Sequence, residues 1–473
     1  MALVWFFFLA FFSSACYPQV PSIEATKLAQ DPTWLRLLKA DKTGRNQSAI
    51  HSAEFFLGDG EFNATTELQL LLQALDSTEA VDDNHPLCRF PARSNWLALK
   101  LDRLDLADFA NCHRLNEWAR TDQLESITLI MISGYFGSPA STFGHSLLRL
   151  DNGGNAQSSL LDLGINFGAQ IPPDEPTLIY ILRGLFGGYQ AGFSDRTFFE
   201  HDQTYSRIEF RDRWEYRLNL TTQQKTLLAY HLWELAGKKF TYYFLRENCS
   251  YRLAELLELI FDAPILDGVT TWYAPVSLFH DLRELQNGDN VFDAVRYVPS
   301  TEQVLRYSLA GLSETERQTV LRLVAPTVPT SDVALGKQPG RMQRMQSAAL
   351  DLNTNQLANE TNQHPTHRER QRQQLAMRLQ LPPAAIDRRN PPTRVPPSSL
   401  APPSSIDAAI TQFADDRLAT RLGISAFRYE PTGNNALDGA ALVVADLQLG
   451  LTEEDGVYVA ESTIVRARKF NTP

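Results

Sequence analysis

The sequence lacks most of the signatures that carry common chemistries. No H-x-x-x-H or C-x-x-C spacing occurs, and His113, His201 and His231 stand apart, which argues against a zinc site. No G-x-S-x-G elbow is present. "GYFGSPASTFG" holds glycines but no P-loop lysine. Basic residues do not predominate: 44 Lys and Arg face 55 Asp and Glu, a net charge of −11, so there is no electrostatic footprint for nucleic acid. No repeat of fixed period runs through the chain. No apolar run reaches the ~20 residues that a membrane helix needs. Cysteine is scarce, with four in 473 residues.

That length allows two or three domains and a sizeable core. The N-terminus, "MALVWFFFLAFFSSACYPQV", has a short apolar run followed by Ser13, Ser14 and Ala15. This is the form of a secretory signal without its basic start, expected over 1–22. Cys16 also permits a lipoprotein signal, although Ser13 stands where an aliphatic residue is expected. Plain export is the preferred reading. In an exported chain, Cys88 and Cys112, which flank a helical segment, read most simply as a disulfide. Cys249 is then left unpaired.

Residues 23–122 read as helical, with apolar residues at helical spacing in "PTWLRLLKA" and "TELQLLLQAL". At "ESITLIMISGYFG" the pattern turns β-branched, and a buried strand is predicted over Ser126–Ser133. "TFGHSLLRLD" and "SSLLDLGINFGA" supply two more strands, and the short connections predict an antiparallel sheet. "LIYILRGLFGGYQAGF" reads as a helix ending at its glycines or as an apolar lip that touches lipid. "YSRIEFRDRWEYRLNL" alternates like strands. Thr221 or Thr222 caps a helix, and another runs from about Ser250 to Phe261. The fold class expected is α+β, with the sheet and the cysteine helix over 123–300. A polar helical segment (301–380), a proline-rich linker (381–405) and the start of a β-rich domain (406–473) follow.

Two stretches carry candidate chemistry. His145 opens a strand just after Gly144, and Cys249 opens a helix in "ENCSYRLAELLE". Free N–H groups and partial positive charge at a helix start favour a thiolate. A histidine alongside would move protons, and the Cys249 N–H would face an oxyanion. The competing reading of Cys249 is a small buried hydrophobe, as most free cysteines are.

"HPLCRFPARSNWL", "SGYFGSPASTFGHSLLRLD", "LLDLGINFGA", "FRDRWEYRLNL" and "YYFLRENCSYRLAELLE" resemble, in order and spacing across about 85–265, the Lnb-type N-terminal periplasmic domain of Gram-negative bacteria. That family looks like circularly permuted papain-like thiol enzymes, in which the histidine strand precedes the cysteine helix. Lecithin–retinol acyltransferase and permuted NlpC-type proteins share the order. The resemblance implies a periplasmic enzyme that needs no metal or cofactor. Cys249 would be its nucleophile, His145 its base and Asn166 the orienting group, with Asp162 the second choice. Tyr243 would contact substrate at the oxyanion. The implied activity is lipoprotein N-acylation: Cys249 takes an acyl group from a phospholipid and passes it to a lipoprotein amine, with contact to a membrane surface. The alternatives are a thiol hydrolase of cell-wall peptide or amide bonds, and a non-catalytic envelope module.

Overall fold

The structure is a computed structural model. It describes residues 22–40, 47–153, 158–267, 272–285, 291–325, 328, 333–335, 338–359, 365–380, 394–412, 418–429, 440–452 and 456–469. The signal region with Cys16, and residues 381–393 of the proline-rich stretch, lie outside the described residues.

Six helices come first: α1 Ser22–Leu28, α2 Pro32–Leu37, α3 Ala64–Leu75, α4 Pro86–Arg89, α5 Pro91–Lys100 and α6 His113–Ala119. A seven-stranded antiparallel sheet follows, from β1 Ser126–Ile132, β2 His145–Asp151, β3 Leu163–Ala169, β4 Tyr189–Thr197, β5 Arg213–Leu218, β6 Phe240–Tyr242 and β7 Phe292–Val298. Their order is β6-β4-β3-β2-β1-β5-β7. β1 is flanked on both sides and buried on both faces, so it reads as a continuous apolar run. Interleaved with the strands are α7 Thr177–Phe186, α8 Phe198–Asp202, α9 Thr222–Leu235, α10 Cys249–Phe261 and α11 Ser277–Glu284. The fold class is α+β, as expected.

One core joins the early helices to a single face of this sheet. Trp34 stacks on Trp96 at 5.4 Å between ring centres. Leu148, Ile165 and Phe167 from the sheet, and Leu253 and Leu257 from α10, belong to the same cluster. The opposite face packs Ile130, Ile132 and Leu147 against Phe198 of α8. α9 begins where its cap was read: Thr221 Oγ1 accepts from Gln224 N, and Gln224 returns the bond in a capping box.

The Cys88–Cys112 disulfide is present, with Cα atoms 5.2 Å apart. It ties α4 to the residue before α6. Replacing both cysteines by alanine is expected to lower stability by about 3 kcal/mol. Urea unfolding of the two forms measures it.

The stretch "YSRIEFRDRWEYRLNL" becomes a strand only in its second half, as β5. Its first half continues α8 into a π-helical turn, Gln203–Ile208. The Glu209 N–H reaches the Thr204 carbonyl at 2.9 Å, five residues back. The alternation there follows a widened helical turn, not an extended chain.

Beyond β7, helices α12 Thr301–Ala310, α13 Glu314–Val324, α14 Pro339–Asn359 and α15 Pro365–Leu379 form a small bundle. Its core holds Leu312, Val320, Leu323 and Ala348. The described end of the proline-rich stretch is packed down: Pro397 and Ser398 are buried, and Arg283 donates to the Ser398 carbonyl at 2.9 Å. The C-terminal strands are β8 Ser405–Gln412, β9 Leu418–Tyr429, β10 Ala440–Thr452 and β11 Gly456–Lys469. They form a separate meander, β11-β10-β9-β8. β10 and β11 correspond to "ALVVADLQLGL" and "GVYVAESTIVRARKF", which read as strands in the sequence, whereas β8 and β9 are additional.

Candidate functional site

Cys249 is the first residue of α10, and its cap explains why the helix starts there. Asn248 Oδ1 accepts the N–H groups of Ser250 (3.1 Å) and Tyr251 (3.2 Å). Its amide nitrogen donates to the carbonyls of Tyr273 (2.7 Å) and Phe244 (3.2 Å), so the cap is fixed from both sides. By helix geometry the Cys249 N–H has no partner within the helix.

His145 opens β2 directly after Gly144, whose φ of +102° suits glycine. The β2–β3 ladder pairs Leu147 with Asn166. Side chains alternate along strands, so His145, Leu147 and Asn166 share a face. The His145 Nε2–H donates to Asn166 Oδ1 at 2.5 Å. Nδ1 is then the unprotonated ring nitrogen. Asp162 lies at the far end of β3, accepting the Asn152 N–H at 3.3 Å, and does not meet the imidazole.

Cys249 reaches the start of β2 on the side of the Ser146 side chain, whereas His145 shares the opposite face with Leu147. The Cys249 sulfur accepts the backbone N–H of Ser146, the residue after His145. Below it, the buried hydroxyls of Ser250 and Ser146 lie 2.7 Å apart and pin α10 to the strand. No hydrogen bond joins the Cys249 sulfur to the His145 ring in this state. Tyr243 packs over Gly187, where an added Cβ would come 2.5 Å from its ring. The tyrosines within electrostatic reach of Cys249 are Tyr242 and Tyr205.

Several participants come from the π-helical turn and the loop after it. The Tyr205 ring lies 5.6 Å from that of His145 and stacks on His201 at 6.1 Å. Arg211 lies against Tyr205 and donates to the Ser133 carbonyl at 2.6 Å and to Glu209 at 2.9 Å. Its Nη2 is buried and without a hydrogen-bond partner among the described residues. Behind these, Glu215 joins Arg149, Arg213 and Arg296, and Arg213 pairs with Asp202 at the end of α8. That buried network fixes the turn carrying Tyr205 against the sheet.

Burial sets the resting protonation states. Cys249 is 2% exposed, and burial pushes its thiol up, against the Ser146 N–H, Ser250 and the Arg211 charge. The expectation that the helix start would favour a thiolate is therefore outweighed by desolvation. Burial and then the Arg211 charge push His145 down to about 4. At neutral pH the pair rests as thiol and neutral imidazole. Alkylation of Cys249 by iodoacetamide is expected to rise steadily with pH to beyond 9. A rate plateau between pH 4 and 8, the mark of a resting thiolate–imidazolium pair, is the opposite result.

A cavity of about 440 Å³, lined by Trp118, Trp233, Arg114 and Arg120, lies elsewhere, beside Asn152 and Leu163, and includes neither Cys249 nor His145.

Residues 114–287 match the Lnb N-terminal periplasmic domain. Residues 26–100 match a domain of unknown function, DUF7843. No curated protein and no solved structure matches the chain. The Lnb-type segment contains Cys249, His145, Asn166, Ser146 and Arg211. The family's description supports a periplasmic location, and the Cys88–Cys112 disulfide fits an oxidising compartment.

Proposed function

We propose that the Lnb-type segment is a permuted papain-like thiol acyltransferase acting on membrane lipid. The observation that carries this reading is the arrangement at the start of β2. A cysteine at a helix N-terminus rests on the N–H beside a histidine that is itself held by an asparagine. His145 takes the thiol proton at Nδ1 as the sulfur attacks the acyl ester of a phospholipid. The ester C–O bond breaks, the lysophospholipid leaves with that proton, and Cys249 keeps the acyl group as a thioester. The amine of a diacylated lipoprotein then attacks the thioester and releases the thiol. The Cys249 N–H faces the developing oxyanion. The unpartnered Nη2 of Arg211 suits that oxyanion or the lipid phosphate.

Helix α7 supports a lipid substrate. Leu178, Ile179, Leu182 and Phe186 are exposed along it, with Phe186 at 78%. The helix is seated on the segment leading to Cys249: the Phe244 N–H donates to the Gly184 carbonyl at 2.8 Å, and a Cβ on Gly184 would strike the Phe244 ring. An apolar face so placed fits a membrane surface beside the site.

The test supplies phospholipid and a diacylated lipopeptide to the full chain and follows the products. Triacylated lipopeptide and lysophospholipid are expected. Free fatty acid alone favours a hydrolase. Cleaved cell-wall peptide with no lipid turnover overturns the reading.

A further inference from the structure

The C-terminal meander is inverted relative to a sheet of a water-soluble domain. Its register sets out three rows on one face. Ile406 pairs with Ile424, Ile424 with Leu447 and Leu447 with Ser462. Ala408, Leu422, Leu449 and Val459 form the second row, and Ile410, Thr420, Leu451 and Val457 the third. These rows hold no charge, yet they face outward: Ile410 is 76% exposed and Val457 71%. Of the rows on the other face, the two beside these are polar or small, whereas the row nearest the body of the protein, Phe427, Val444 and Val465, is apolar. Ser405, Ser425, Asp446 and Thr463 make one, and Asp407, Gly423, Gln448 and Glu461 the next. Ser425 and Asp446 are each 2% exposed. The Asp407 carboxylate fills the space over Gly423, and the Tyr458 ring fills that over Gly450.

An antiparallel sheet with one wet face in water exposes its polar side and buries its apolar one. Apolar outside and polar inside, alternating strand after strand, is the arrangement that hydrocarbon solvent selects. The dimensions agree. β9, β10 and β11 have 12, 13 and 14 residues, against the ~9–11 that a tilted strand needs to span. From Leu418 to Ile424 the apolar side of β9 is ~20 Å long at ~3.3 Å per residue, most of a ~25 Å barrel band. Among the described residues no helix is long and apolar enough to cross a membrane.

We infer that the outward face of β8–β11 contacts the hydrocarbon of a lipid bilayer, as part of a membrane β-barrel wall. Open strand edges are not tolerated in hydrocarbon, so the β8 and β11 edges would each need a strand partner there. The other end of the sheet is rooted in the body of the protein. Phe427 packs on Phe143 at 4.9 Å, two residues before His145, and Tyr429 and Leu442 join the main core. The wall therefore fixes the His145 end of β2 to the membrane. The inference does not depend on the thiol chemistry.

The test places one reporter cysteine at a time in the full chain carrying Cys249→Ser. Leu422→Cys and Val459→Cys probe the outward face, and Gln448→Cys probes the other. Each is labelled with bimane in liposomes of phosphatidylethanolamine and phosphatidylglycerol with brominated acyl chains. The outward reporters are expected to lose most of their fluorescence to the brominated lipid while the reporter at Gln448→Cys keeps it. Equal quenching on both faces, no quenching on the outward face, or a chain that does not float with the liposomes overturns the inference.

Discussion

Cys249→Ser and His145→Ala are each expected to lower acyl transfer by on the order of 10³-fold or more, with the double variant little worse than either. The non-additivity follows from their acting as a unit, because a base without a nucleophile has no proton to take. Asn166→Ala gives a smaller loss. It removes the 2.5 Å hydrogen bond that holds the ring's tautomer and leaves the base in place. A merely structural role for His145 predicts a different pattern: its alanine variant would lose stability and activity together. Thermal unfolding alongside the rates separates the two. The pH profile adds a sign. Because His145 is pushed down to about 4, the base stays competent as pH falls to near 4, well below the ordinary histidine value of 6.5.

Glu215→Leu destabilises the fold by about 3–5 kcal/mol, because it leaves three arginines around a missing charge. Glu215 is 4% exposed. Burial alone would raise its carboxyl, but Arg149, Arg213 and Arg296 hold it at about 2, against an ordinary value of 4.5. The unfolded chain therefore binds this proton first as pH falls. The stabilisation is complete above 4.5 and is lost between 4.5 and about 2. Urea unfolding of Glu215→Gln at pH 7 and pH 3 is expected to show a smaller drop between the two pH values than the unsubstituted chain shows. The buried histidines act in a higher window that overlaps this one only near pH 4. His145, His201, His231 and His280 are all pushed down to about 4, so their contribution is lost as pH falls from 6.5 to 4.

The readable parts of this chain are those whose causes are local. "SITLIMI" announces a buried strand, Thr221 or Thr222 announces a helix start, and the apolar spacing behind Cys249 announces another helix. Asn166 was named beside His145 through the family resemblance, and the β2–β3 ladder puts the two on a common face. What escaped depends on distant contacts. Ser250 meets Ser146 across 104 residues, and neither position stands out in sequence. Tyr205 reaches His145 because a π-helical turn widens the helix, and Arg211 arrives from the loop after it. The thiol's resting state also escaped, since burial is a tertiary property that outweighs a local helix start. The strands β8 and β9 escaped because small, charged and apolar residues alternate there with the apolar ones facing out.

The central claim is that Cys249 carries an acyl group. Incubating the full chain with a phospholipid of defined acyl mass, without acceptor, and then digesting it under acid conditions tests this most directly. The account predicts that the peptide containing Cys249 gains the mass of that acyl chain, loses it to hydroxylamine, and gains nothing in Cys249→Ser. An unmodified Cys249 peptide in a preparation that turns over the phospholipid contradicts it.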